Sequence, residues 1–182
     1  MMSLEVKQVT RKLPELSGIK EVLKTLFPAR EMAPFWFLMS RAKAKYIDFL
    51  AFYDEDKFVG LSYTVTHGDL TYVLYLATVA SCHSKGYGSQ ILMHLAEKFP
   101  NNRITLTIDE IDKAAENNAQ RVRRKEFYAK NNFLPSGMKM YTRGLRFEVL
   151  VYNGETTFED YQVIMKKLLG IPIYWFMKPK LI

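Results

Sequence analysis

The sequence predicts an α/β protein with a mixed sheet: an antiparallel meander leads into a parallel β-α-β pair, and an extra helix and strand follow. Three observations carry this. Residues 46–53 and 58–66 are strand-like runs separated by the polar Asp54-Glu55-Asp56-Lys57, the pattern of a hairpin. Residues 70–80, rich in Tyr, Val, Leu and Thr, make a third strand, entered through the turn His67-Gly68-Asp69. From Gln90 the apolar period becomes helical, with Ile91, Leu92, Leu95 and Phe99 on one face, and at 103–108 it returns to strand alternation. Strand, helix, strand of this length requires a right-handed crossover, so 70–80 and 103–108 are expected to run parallel.

The remaining elements follow in order. Leu4 and Val6 alternate with Glu5 and Lys7 in a half-buried first strand. Pro14 opens a helix with Leu16, Ile19, Leu23 and Leu26 on one face, and Pro28 stops it. Residues 34–44 form a second helix carrying Phe35, Trp36, Leu38 and Met39. A helix over 115–132 is expected to bury Ala115, Ala119, Val122 and Ala129, with Asn132 as its left-handed cap. Strands 134–141 and 146–152 come next, the latter alternating Phe147, Val149, Val151 with Arg146, Glu148, Leu150. Asn153-Gly154 is a turn, and Thr156-x-x-Glu159 is a capping box. It starts a helix carrying Phe158, Tyr161, Met165 and Leu168, ended by Gly170. The apolar tail 171–182 can complete the core, cover a site or build a homodimer contact, and completion of the core is the preferred reading.

Composition sets outer bounds. A chain of 182 residues is long enough for one domain over 1–182 with a sizeable core. Its 26 basic and 19 acidic residues give a net charge of +7, which favours anionic partners: phosphorylated ligands, nucleic acid or acidic membranes. The single cysteine, Cys82, excludes an intrachain disulfide and fits a reducing cytoplasm. Residues 1–12 have no leader pattern and no apolar run could span a bilayer, so no membrane partner is expected. His67, His83 and His94 lack metal-ligand spacing, so no metal is expected. The basic run 121–125 reads as a solvated helix face, and nucleic acid is not the expected partner.

Chemistry concentrates in Ser81-Cys82-His83-Ser84-Lys85-Gly86-Tyr87-Gly88-Ser89. Two glycines let the chain turn sharply, and the amides that open the following helix have no intrahelical acceptor, which makes a site for phosphate. Lys85 precedes its glycine, unlike a Walker loop, and Ile91 occupies the third small position of a dinucleotide fingerprint. Val79 followed by His83-Ser84-Lys85-Gly86-Tyr87-Gly88 resembles motif A of the GCN5-related N-acetyltransferases (GNAT), Arg/Gln-x-x-Gly-x-Gly/Ala, with His83 in place of Arg or Gln. Arg123-x-x-x-Phe127-Tyr128-x-Lys130-x-x-Phe133 resembles motif B of the same family. Asn132 stands where glycine is usual, and Arg121 where many members have asparagine, with Asn117 and Asn118 nearby. The resemblance covers residues 4–152, leaving 153–182 as an extension.

That resemblance implies the GNAT acyl-CoA N-acyltransferase fold. It implies transfer of an acetyl group from acetyl-CoA, as co-substrate, to a primary amine of a small molecule or protein by direct attack in a ternary complex. Backbone groups of Thr78 and Val79 would hold the pantetheine arm and polarise the thioester. The loop His83, Ser84, Lys85, Gly86, Tyr87, Gly88, Ser89 would bind the pyrophosphate, with Asn118 as a further cofactor contact. Tyr128 matches the family's acid for the departing thiolate. For the base, Asp109 and Glu110 end strand 103–108 on opposite faces, and Glu110 is preferred. Tyr72 and Tyr75 are weaker candidates, and a water relay is the alternative. Cys82 and His83 are adjacent and point apart, so they make no nucleophile pair. A non-catalytic CoA-binding or partner-recognition module on the same fold is the rival function, and no residue names the amine.

Overall fold

The computed structural model describes residues 4–29 and 31–182, the side chains of Phe176 and Met177 excepted. The leader reading of residues 1–12 therefore starts on Met1, Met2 and Ser3, which lie outside the described residues. The strands are β1 (Glu5–Gln8), β2 (Ile47–Asp54), β3 (Lys57–His67), β4 (Leu70–Thr78), β5 (Arg103–Asp109), β6 (Leu134–Thr142), β7 (Leu145–Tyr152) and β8 (Lys180–Leu181). The helices are α1 (Leu16–Leu26), α2 (Phe35–Arg41), α3 (Tyr87–Lys98), α4 (Asn118–Lys130), α5 (Phe158–Leu169) and α6 (Ile171–Met177). The strands hydrogen-bond in the order β1-β2-β3-β4-β5-β7-β6-β8, the mixed sheet that the sequence predicts. The chain, expected as one domain over 1–182, divides into two compact units, Met1–Val65 with Val73–Pro100 and Thr66–Tyr72 with Asn101–Ile182.

In the first unit, β2 and β3 pair from Ile47↔Val65 to Asp54↔Lys57. The turn is therefore only Glu55-Asp56, with Glu55 at φ 54°, because Asp54 and Lys57 already belong to the ladder. One part of the core holds Phe49 against Tyr63, ring centroids 5.1 Å apart. The Tyr63 hydroxyl donates to the Leu38 carbonyl at 3.2 Å and so fastens α2. Another part gathers Leu50, Phe52, Val59, Cys82 and Ile91. Helix α3 starts at Tyr87, three residues before the apolar period begins. Its first turn, Tyr87-Gly88-Ser89-Gln90, is mostly polar and gives periodicity nothing to detect. Gly60 permits a close approach here: a Cβ would lie 2.5 Å from the Ala77 carbonyl oxygen and 2.9 Å from Ile91 Cδ1.

In the second unit, the start of β4 runs parallel to β5 from Leu70↔Arg103 to Tyr72↔Thr105, as the crossover rule requires. Strand β7 lies antiparallel between β5 and β6, and β8 adds to β6 with Met140 opposite Leu181. The extension thus completes the sheet. Three expectations are corrected. The inward face of α4 is not Ala115, Ala119, Val122 and Ala129: Ala119 and Ala129 are exposed, and Tyr128 is the buried residue. Glu148 of β7 is buried although it alternates with the apolar positions, because Lys125 pairs with it at 2.7 Å. The capping box is Thr157 with Asp160, one residue later than Thr156-x-x-Glu159. Both spacings satisfy the motif, and Arg103 selects the second by bonding Asp160 at 2.8 Å.

Substituting Gly60→Ala is expected to destabilise the protein by about 1–3 kcal/mol, the cost of an added methyl against backbone. Urea denaturation of the full chain measures it.

Candidate active site

Strand β4 delivers the chain to the loop through a sequence of fixed backbone bonds. The Val79 amide donates to the Val59 carbonyl at 3.0 Å, and the Val79 carbonyl accepts from Cys82 N at 2.9 Å. Residues Ala80–Cys82 form one turn of 3-10 helix that drives the Cys82 side chain into the cluster with Leu50 and Ile91. Ser84 then takes φ 61° and Gly86 φ 84°, the left-handed region where glycine carries no Cβ penalty. A Cβ on Gly86 would meet nothing within 4 Å, so the space beside it is open.

Gly86 is the residue from which α3 begins. The first intrahelical bond is Gln90 N to the Gly86 carbonyl at 3.1 Å, and no side chain caps the helix start. The amides of Tyr87, Gly88 and Ser89 therefore sit in the positions that lack an intrahelical acceptor, at the positive end of the helix dipole. The structure brings His83, Ser84, Lys85, Gly86, Tyr87, Gly88 and Ser89 together with Thr78 and Val79 at the end of β4. These residues fit a diphosphate through main-chain donors.

Two side-chain contacts escaped the sequence reading. The Tyr87 hydroxyl donates to Asp54 Oδ2 at 2.5 Å, tying the first helical residue to the β2–β3 hairpin. This bond to a carboxylate, helped by burial, pushes the Tyr87 hydroxyl up to about 12. His83 Nε2 lies 3.2 Å from the Thr78 carbonyl oxygen. Neither partner has a local spacing that announces it, since Asp54 is remote in sequence and Thr78 acts through its backbone.

No family model and no curated protein matches the sequence, but solved structures do match its fold. A GNAT-family acetyltransferase from Bacteroides thetaiotaomicron superposes with a TM-score of 0.71 at 21% identity, over 92% of this chain and 97% of that one. The fold is that of the GNAT acetyltransferases. A GNAT acetyltransferase from Elizabethkingia anophelis, solved with acetyl-CoA bound, matches at TM-score 0.59 and 9% identity, over 85% of this chain and 100% of its own. The ribosomal-protein-S18-alanine N-acetyltransferase from Escherichia coli matches at 0.62 and 13%, over 86% and 97%.

The other residues chosen from sequence belong to the second unit of this GNAT fold. Tyr128 is buried, with its ring against Phe127 and Phe133, and burial pushes its hydroxyl up to about 12. Asn118 holds its side-chain oxygen buried and without a hydrogen-bond partner, an acceptor to which a ligand N–H fits. Glu110, the candidate base, is engaged by two cations. Its carboxylate accepts from Lys139 at 2.5 Å and from Arg146 at 2.7 Å. These two cations, Lys139 first, hold its pKa below the usual carboxylate value, the reverse of what proton abstraction from an ammonium requires.

The basic run, read as a solvated helix face, also makes specific contacts. Arg121 donates to the Glu110 carbonyl at 2.7 Å, Arg124 to Asp109 at 3.2 Å and Lys125 to Glu148 at 2.7 Å. Arg121, Arg124 and Lys125 tie α4 to β5 and β7 while staying partly solvated, and Arg123 is exposed. Tyr72 and Tyr75 are engaged too: Tyr72 with Thr107 at 2.8 Å, Tyr75 by accepting from the Ala33 amide at 2.8 Å. Among the described residues, no group of three or more His, Cys, Asp or Glu side chains is placed to hold a metal ion.

A carboxyl held low when folded stabilises the protein above its unfolded pKa, and that contribution is lost as pH falls through the folded value. Glu110→Gln should therefore be less stable than the wild type at neutral pH. The gap should hold down to about pH 4 and close below it. Urea titrations across that range check this.

Proposed function

We propose that the chain is an acetyl-CoA-dependent N-acetyltransferase that acetylates a primary amine of a small molecule or protein. The observation that carries this reading is the uncapped start of α3 behind the left-handed Gly86, in a chain with the GNAT fold. The loop amides of residues 84–89 receive the diphosphate. The pantetheine arm lies along Thr78 and Val79: the peptide groups of Thr78 face away from β3 by strand alternation, and the Val79 carbonyl keeps a second lone pair beside its bond from Cys82 N. His83 yields its place on the Thr78 carbonyl to the pantetheine amide.

The neutral amine attacks the acetyl carbonyl carbon, a C–N bond forms, and the C–S bond breaks. The thiolate takes a proton from Tyr128, which holds that proton throughout the neutral range and regains it from water after the transfer. The new ammonium loses its proton to water, Glu110 being committed to its two cations. The backbone at Thr78 donates to the developing oxyanion.

Acetyl-CoA should raise the melting temperature, by an amount equivalent to about 2.7 kcal/mol at a hundredfold excess over Kd. Gly88→Trp should remove the shift. Equal melting curves for the wild type with and without acetyl-CoA would overturn the reading. Tyr128→Phe should lower kcat by about 10²–10⁴-fold while the Kd for acetyl-CoA stays the same. A melting shift without thiol release, across a broad panel of amines, would instead identify a non-catalytic CoA-binding module.

A further inference from the structure

Residues 161–182 contain four lysines, Lys166, Lys167, Lys178 and Lys180, and no acidic residue. Six of the eleven exposed large apolar side chains among the described residues stand in this stretch: Val163, Ile171, Ile173, Trp175, Leu181 and Ile182. Ile171 is 63% exposed and Trp175 62%. Helix α6 has no charged residue, and of its side chains from Ile171 to Trp175 only Tyr174 is buried. A surface helix of a water-soluble domain normally turns polar groups outward. Concentrated exposed apolar surface of this kind marks a contact site.

The charge around it chooses the occupant. Lys167 is directed to the Thr66 carbonyl at 3.0 Å, but Lys166, Lys178 and Lys180 are exposed and border the apolar residues. Lys178 Nζ lies 5.0 Å from the Trp175 ring centroid, and Lys166 Nζ 5.3 Å from that of Tyr174. A twofold contact between two copies would set these lysines against themselves. A nucleic-acid surface would favour arginine and stacking platforms over isolated aliphatics. Aliphatic residues and a tryptophan rimmed by lysine are the composition that settles at a headgroup boundary.

We infer that the α6–β8 segment docks on an anionic phospholipid surface, with Ile171 and Trp175, which share one face of α6, entering the acyl boundary and Lys166, Lys178 and Lys180 meeting the phosphates. No helix among the described residues is long and apolar enough to cross a membrane, so the contact is peripheral. The expectation of no membrane partner rested on spanning length and did not address this geometry. The inference stands independently of the acetyltransferase reading.

Trp36→Phe leaves Trp175 as the one tryptophan of the full chain. Its emission should shift to the blue, and the protein should sediment, with vesicles of phosphatidylserine and phosphatidylcholine but not with phosphatidylcholine alone. Lys178→Glu with Lys180→Glu, both exposed and safe for folding, should lower partitioning by at least about ten-fold, each lysine being worth about five-fold near such a surface. Added salt should release the bound protein. No shift with the mixed vesicles would overturn the inference, as would equal binding to pure phosphatidylcholine. A lipid-free dimer in sedimentation velocity that Trp175→Ser dissolves would assign the surface to a second copy and overturn it as well.

Discussion

The backbone reversal at Gly86 is the constraint on which the candidate site depends. Its φ of 84° lets the chain leave the 3-10 turn and enter α3 at once, with three amides still lacking acceptors. A side-chain cap would have satisfied one or two of them and closed the position to a ligand. The surrounding bonds keep the reversal in place. Val79 is tied to Val59, Tyr87 to Asp54, and Cys82 is buried against Ile91. The loop is fixed by main-chain bonds and by three of its own side chains, Cys82, His83 and Tyr87, which leaves the amides that open α3 out of that scaffolding.

Electrostatics organise the second unit in a different way. Helix α4 presents Arg121, Arg124 and Lys125 to the acidic ends of β5 and β7, and Glu110 bridges Lys139 of β6 and Arg146 of β7. Most of these groups are partly solvated, where a single ion pair contributes about 1 kcal/mol or less. Their weight lies in geometry: they fix which face of α4 turns inward and thereby bury Tyr128. A helix of weak amphipathicity can be oriented by charge when the strand ends it meets carry the opposite sign.

Much of this was legible in the chain. The strand runs, the crossover, the left-handed cap at Asn132 and the turn at Asn153-Gly154 follow from local preferences that tertiary structure leaves alone. Less visible were features that need a remote partner. Periodicity counted Ala119 and Ala129 as core because alanine scores as apolar, whereas the inward face was chosen by Asp109 and Glu148. Thr156 and Thr157 offered equivalent capping patterns, and only Arg103 distinguishes them. Glu110 stood at the right strand end for a base, but Lys139 and Arg146 reach it from 29 and 36 residues away. The loop was readable because its shape is written in main-chain conformation, which glycine signals directly.

The one thiol of the chain sits inside this loop, and its Sγ is packed under α3. Alkylating reagents can reach it only when the turn opens, so the modification rate measures the free energy of local opening. The protein thus carries an intrinsic gauge of loop order, readable by mass alone, and any molecule that seats on the amides of α3 would slow that clock.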